Sequence, residues 1–118
     1  MLSNQYLASN RGYTAEQKAK SYLEQHSLVF IEQNFKSKVS EIDLIMRDQE
    51  QLVFVEVKFR KNASHGSAAE QFTKSKRNKL EKAIYYYLLK NKLNAFHTSF
   101  RIDVVAIDAE KVNWIKNV

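Results

Sequence analysis

The sequence has 118 residues, 44% of them hydrophobic, which is enough apolar material for one compact core and too little length for two domains. It contains no cysteine, so disulfides and thiolate metal sites are excluded, and its formal net charge of +6 favours a polyanionic partner, nucleic acid first among them. The polar stretch from Met1 to Tyr13 lacks the apolar core of a secretory signal, and no run approaches the roughly 18 apolar residues needed to cross a bilayer, so the sequence predicts a soluble, cytoplasmic protein with no membrane partner.

With two glycines and no proline, element boundaries must be read from periodicity and polar clusters. From about Thr14 to Gln25, Ala15, Ala19, Tyr22 and Leu23 fall at helical spacing, and Thr14 with Gln17 fits a capping box, an earlier start of this helix being left open. Leu28 to Ile31, Ile42 to Met46 and Leu52 to Phe59 then read as three strands of an antiparallel meander, with Arg47 to Gln51 as the second turn. In the third strand Val53, Val55, Val57 and Phe59 share one face, and Leu52, Phe54, Glu56 and Lys58 share the other. Asn62 to Ser67 is loop-like; its Asn-Ala-Ser triplet is a chance glycosylation match in a chain without an export signal.

From about Ala68 to Lys90 the sequence predicts one long helix, striped by Phe72, Leu80, Ala83, Ile84, Tyr87 and Leu88. Phe100 to Ile107 and Val112 to Ile115 complete the set as two strands. The order α-β-β-β-α-β-β, with a helix between the third and fourth strands, predicts an α/β domain over residues 1–118: a mixed sheet of about five strands, a parallel crossover and flanking helices.

The chemistry concentrates in Ser40-Glu41-Ile42-Asp43-Leu44-Ile45 and Val53-Phe54-Val55-Glu56-Val57-Lys58, where ionisable side chains interrupt two apolar strands. An unpartnered buried carboxylate is costly, so these groups must neutralise one another or gather around a cation. Magnesium takes one or two carboxylates and keeps several waters, a demand that Asp43 and Glu56 can meet. Lys58 follows Glu56 by roughly 6 to 7 Å along the same face, where its ammonium can orient a water or meet phosphate oxygens. The bland alternative for Glu56 and Lys58 is an exposed charge pair worth less than about 1 kcal/mol. Glu41, on Asp43's face by the strand period, is either a supplementary ligand or an exposed residue at the strand entrance.

These residues resemble the PD-(D/E)xK motif of restriction-endonuclease-like nucleases and, more closely, the YraN-like family of bacterial proteins, which is similar in fold to archaeal Holliday-junction resolvases. The resemblance runs from Gly12, Ala15, Glu16 and Ala19 through Glu41 to Ile45 and Phe54 to Arg60, then Gly66, Lys76, Leu80 and Ala83, and closes on Arg101 to Val105. It implies a restriction-endonuclease-like fold, with Asp43 and Glu56 as ligands of Mg2+ or Mn2+, Lys58 as catalytic lysine, and Glu16 completing the acidic cluster. Read without the resemblance, Glu16 could serve only the dipole at a helix N-terminus. Two positions depart from the family pattern: Ser40 stands where glycine is usual, and Ile102 where an aromatic is usual.

Arg60, Lys61, Lys74, Lys76, Arg77 and Lys79 are the candidate phosphate contacts, the alternative being a cationic, solvated helix face. Tyr85, Tyr86 and Tyr87 spread around a helix and are expected in core or interface packing. His26, His65 and His97 show no metal-binding pair spacing, and Arg101 with Asp103 is expected to pair structurally. The sequence therefore predicts a magnesium-dependent endonuclease-like protein acting on branched or repair-related DNA, as a homodimer where the substrate is two-fold symmetric. A catalytically silent DNA-binding or partner-binding module is the competing expectation.

Overall fold

A computed structural model describes residues 4–60, 68–108 and 111–118. The elements are α1 (Asn4–Gln25), β1 (Val29–Lys36), β2 (Glu41–Asp48), β3 (Gln51–Arg60), α2 (Ala68–Gln71), α3 (Lys74–Lys90), β4 (Phe100–Asp108) and β5 (Lys111–Ile115). One sheet runs in the order β1-β2-β3-β4-β5, antiparallel throughout except for the parallel β3–β4 pair. This is the mixed α/β sheet flanked by helices of a restriction-endonuclease-like fold, and the helical crossover after β3 is what makes the parallel pair sterically feasible.

Each face of the sheet carries its own core. Ala15, Ala19 and Leu23, spaced one helical turn apart, press α1 onto Leu44, Met46, Val53, Val55, Val105 and Ile107. On the opposite face Leu80, Ala83, Ile84, Tyr87 and Leu88 seat α3 on Ile42, Ile45, Phe54 and Ile102. The chain leaves α1 through Ser27 at φ 72°, with Ser27 N donating to the Glu24 carbonyl and Leu28 N to the Leu23 carbonyl, both at 3.0 Å. That pair of bonds closes a Schellman motif, and Leu28 completes it by burying itself beside Leu23.

Two helical details are corrected. The first helix takes the earlier start that the sequence left open, at Asn4, so Thr14 and Gln17 lie inside it and form no N-terminal capping box; the Gln17 side chain instead donates to Gln33 Oε1 at 3.1 Å. The long helix expected from Ala68 to Lys90 is broken at Phe72 and Thr73. Thr73 adopts extended backbone (φ −75°, ψ 166°) and its hydroxyl accepts from Lys76 N at 3.3 Å, so a side-chain cap outcompetes helix continuation there. Phe72, freed from the helical stripe, packs against Val104 and Ala106. The second turn is also tighter than expected, Asp48 pairing with Gln51 across Gln49 at φ 56°. Among the described residues no helix is long and apolar enough to cross a membrane.

The β4–β5 end is organised by Asp103, which is 0% exposed. Its carboxylate accepts from Arg101 Nε (3.0 Å), Arg101 Nη2 (3.2 Å), Trp114 Nε1 (2.9 Å) and Asn117 N (2.9 Å). Arg101 also donates to Asp48 and Gln51, tying β4 to the β2–β3 turn. The structural pairing expected of Arg101 and Asp103 is therefore present. Replacing Asp103 by Ala leaves Arg101 Nε and Nη2, Trp114 Nε1 and Asn117 N without their acceptor, while Arg101 keeps Asp48 and Gln51, so urea denaturation of Asp103→Ala is expected to show a loss of about 2–4 kcal/mol; a loss below about 1 kcal/mol, the scale of a surface ion pair, would contradict this role.

Candidate active site

Besides a bulge between Phe30 and Glu32 of β1, the ladders around β2 fail at one position. Toward β1 the register joins Gln33 with Leu44 and Phe35 with Ile42, passing over Asn34 and Asp43. Toward β3 it ends at Leu44 and Val55. Face alternation slips at the same place: Ile42 and Ile45 belong to the α3 side, Leu44 and Met46 to the α1 side. Asn34 sits at φ 56°, a left-handed conformation that asparagine tolerates better than other non-glycine residues. The strands thus fork, and the Asp43 carboxylate fills the gap by accepting the Val57 backbone N–H at 2.8 Å.

Three carboxylates converge on this fork. One oxygen from each of Glu16, Glu41 and Asp43 lies within 4.8 Å of the others. Asn34 holds two of them, its single amide nitrogen donating to Glu16 Oε1 at 2.9 Å and Glu41 Oε1 at 2.8 Å. Both N–H bonds of the amide are used, so α1, β1 and β2 are pinned together through polar atoms. Glu16 lies deep inside α1, far from the first turn where a helix dipole would act on it, so the dipole alternative falls away.

Val55 and Val57 point at α1, so Glu56 and Lys58 leave β3 on its other side. Glu56 lies outside the trio but close enough to Asp43 for its charge to raise the Asp43 carboxyl. Lys58 Nζ stands 3.7 Å from Glu56 Oε2. The structure thus brings Glu16 and Asp43 together with Glu41, and sets the Glu56–Lys58 pair beside them rather than among them.

Burial is the main force that pushes the Asp43 carboxyl from its ordinary value of 3.8 up to about 8; the Val57 N–H opposes it, and the charges of Glu56 and Glu16 add to it. Glu16 is also raised, first by burial and then by Glu41 and Glu56, against the lowering effect of Asn34 and Gln33. Like charges crowded in a partly desolvated gap favour either protons or a cation. The donors are all hard oxygens, the set that suits Mg2+ or Mn2+.

The other singled-out residues scatter. Arg60, with 9% of its side chain exposed, faces Asp108 at 3.7 Å. Lys61 lies outside the described residues, as do His65, Gly66 and the Asn62 triplet. Lys74, Lys76 and Lys79 are exposed along the start of α3, while Arg77 binds Glu81 at 2.9 Å and the Val118 carbonyl. Tyr87 is buried, whereas Tyr85 and Tyr86 are half-exposed; His26 stacks beside Tyr22 and Trp114. Asn34 was not singled out by the sequence, where its only signal is an asparagine inside a strand-like run.

Comparison with known proteins places the whole network inside one family match. The pattern of the family described as Uncharacterised protein family UPF0102 matches residues 15–107. A UPF0102 protein of Aliivibrio fischeri is 54% identical over 109 residues, covering 91% of this chain and 89% of its own. A Vibrio vulnificus relative is 49% identical over 108 residues (90% and 88%), and one from Colwellia psychrerythraea 43% over 114 residues (93% and 88%).

The raised Asp43 carboxyl carries a signed consequence for stability. Between about pH 4 and about pH 8 the folded protein holds a proton that the unfolded chain has released, so without divalent metal its stability falls as pH rises through that window and levels off above it. Asp43→Asn keeps an acceptor for Val57 N and removes the titration. Thermal melts in chelator across the window should show a flatter decline for Asp43→Asn; parallel profiles for variant and wild type would contradict the assignment.

Proposed function

The chain belongs to the protein family UPF0102, and from the geometry of its forked strands we propose that it is a metal-dependent endonuclease hydrolysing phosphodiester bonds in branched or repair-related DNA. The observation that carries the reading is the Asp43 carboxyl, desolvated in the strand gap with Glu16 and Glu41 within 4.8 Å, and with Glu56, 3.7 Å from the Lys58 ammonium, near enough to act on its charge. A structural ion pair would be neutral and complete; this network has an excess of negative charge. Perturbed acids of this kind collect at functional sites.

Asp43, Glu56 and Glu16, with Glu41 added, are the residues that would hold Mg2+ or Mn2+. Bound there, the ion supplies a nucleophilic water and screens the phosphate and the leaving oxygen. The protein's own groups do the positioning. Val57 N–H fixes one Asp43 oxygen and leaves the other to face the gap. Asn34 fixes one oxygen each of Glu16 and Glu41. The Lys58 ammonium, drawn to Glu56 at 3.7 Å, is placed to orient the attacking water or to stabilise charge on the phosphate.

Lys74, Lys76 and Lys79 along α3 offer sequence-independent phosphate contacts. Arg60 and Arg77 are engaged within the protein and contribute less. The setting that suits this activity is the cytoplasm, and a homodimer would match a two-fold symmetric junction.

The test is cleavage of flap, junction, single-stranded and duplex DNA with Mg2+ or Mn2+. Asp43→Ala and Glu56→Ala are expected to reduce cutting to background, and Lys58→Ala by about a hundredfold, while DNA binding persists. Calorimetric titration of metal should show heat for the wild type that is absent from the Asp43→Asn, Glu56→Gln double variant. Wild-type DNA binding without cleavage of any structure would move the reading to a silent binding module on the same fold.

A further inference from the structure

A second cleft, of about 520 Å3, lies between the Ser37–Ser40 turn and α3, lined by Lys36, Ser37, Lys38, Val39, Lys82 and Tyr86. Among the described residues no acid lines it, and none of its three lysines is in an ion pair. Its apolar surface is Val39, 52% exposed, and Tyr86, 47% exposed. The Tyr86 ring is braced by Phe35, whose centroid is 5.8 Å away, and Lys90 adds a further cation 5.6 Å from the Phe35 ring.

The turn is built in advance. Ser37 Oγ donates to the Ser40 carbonyl at 2.9 Å and accepts from Val39 N and Ser40 N at 3.3 and 3.1 Å, while Ser37 N donates to the same carbonyl. Lys36 and Lys38 therefore flank a backbone that needs no ordering when a ligand arrives. Lys36 is also the ladder partner of Glu41, so the cleft ends one residue pair from the acidic fork.

Cations in no ion pair among the described residues, around a half-exposed aromatic ring, match an unpaired nucleic-acid strand, whose phosphates need the ammonium groups and whose bases need the ring. A duplex offers the phosphates but keeps its base faces stacked. An acidic peptide would use the lysines and leave Tyr86 idle. We propose that this cleft binds a single-stranded nucleic-acid segment, one base against Tyr86 and its phosphates on Lys36, Lys38 and Lys82, and leads it to the acidic fork. The final step rests on the nuclease reading; the binding does not.

The experiment is fluorescence anisotropy of labelled oligothymidine, a duplex of equal length and polyglutamate, in chelator so that no cutting intervenes, with melts to confirm folding. The wild type should prefer the single strand. Tyr86→Ala and the milder Tyr86→Leu should each weaken it about tenfold. Lys36→Ala combined with Lys82→Ala should lower the salt-dependence slope by about 1.4, since each neutralised phosphate adds about 0.7 on a single strand. Lys111→Ala, on β5 at the opposite edge of the sheet, should bind as the wild type does. Unchanged binding by the cleft variants, equal binding of polyglutamate, or no wild-type binding overturns the proposal. Cleft-dependent binding without any cleavage supports it while removing the nuclease reading; cleavage with cleft-independent strand binding does the reverse.

Discussion

A carboxyl group standing where a strand would offer a backbone carbonyl is the constraint on which the site depends. Val57 N–H needs an acceptor in the sheet interior, and Asp43 supplies one from its side chain. The exchange keeps β2 and β3 from zipping further and holds the carboxyl in a place where water solvates it poorly. The backbone secures the acid and the acid satisfies the backbone. Glu16 and Glu41 are added to the same gap by one asparagine, so the crowding of negative charge is built by hydrogen bonds rather than left to flexible side chains.

Two aspartates, Asp103 buried and Asp43 half-buried, show how structure and chemistry diverge from one residue type. Asp103 is surrounded by donors from Arg101, Trp114 and Asn117, and its charge is complete within the fold. Asp43 has one backbone donor and faces other carboxyls. The first arrangement uses its polarity to join β4 to the chain end and to the β2–β3 turn. The second leaves it unbalanced, which is unfavourable for the bare protein and useful only to a ligand of opposite charge.

Much of the architecture could be read from residue patterns because the sheet and both main helices are amphipathic at their natural periods. Ala15, Ala19 and Leu23 announced one buried face, and the alternation of β3 announced the other two. The helix break did not show, since Thr73 competes with helix through a local hydrogen bond that composition does not reveal. The acids Asp43 and Glu56 could be singled out because charge inside apolar strands is conspicuous. Asn34 could not, because its role depends on a left-handed turn of the backbone and on two partners distant in sequence. Arg60 stood beside the motif in sequence, yet its orientation toward Asp108 follows from the parallel register of β3 and β4, which a linear reading does not supply.

The parallel pairing of β3 with β4 also divides the chain by the order in which its parts can assemble. Glu41, Asp43, Glu56 and Lys58 all belong to the β1–β2–β3 hairpins, whose strands meet across turns of a few residues. Their closure costs little entropy and is favoured early. The β4 strand must wait for the whole helical crossover to be laid down, because its partners on β3 are dozens of residues away. The acids of β2 and β3 are thus gathered by contacts local in sequence, while the strand that completes the sheet beside them is reached only through the long crossover.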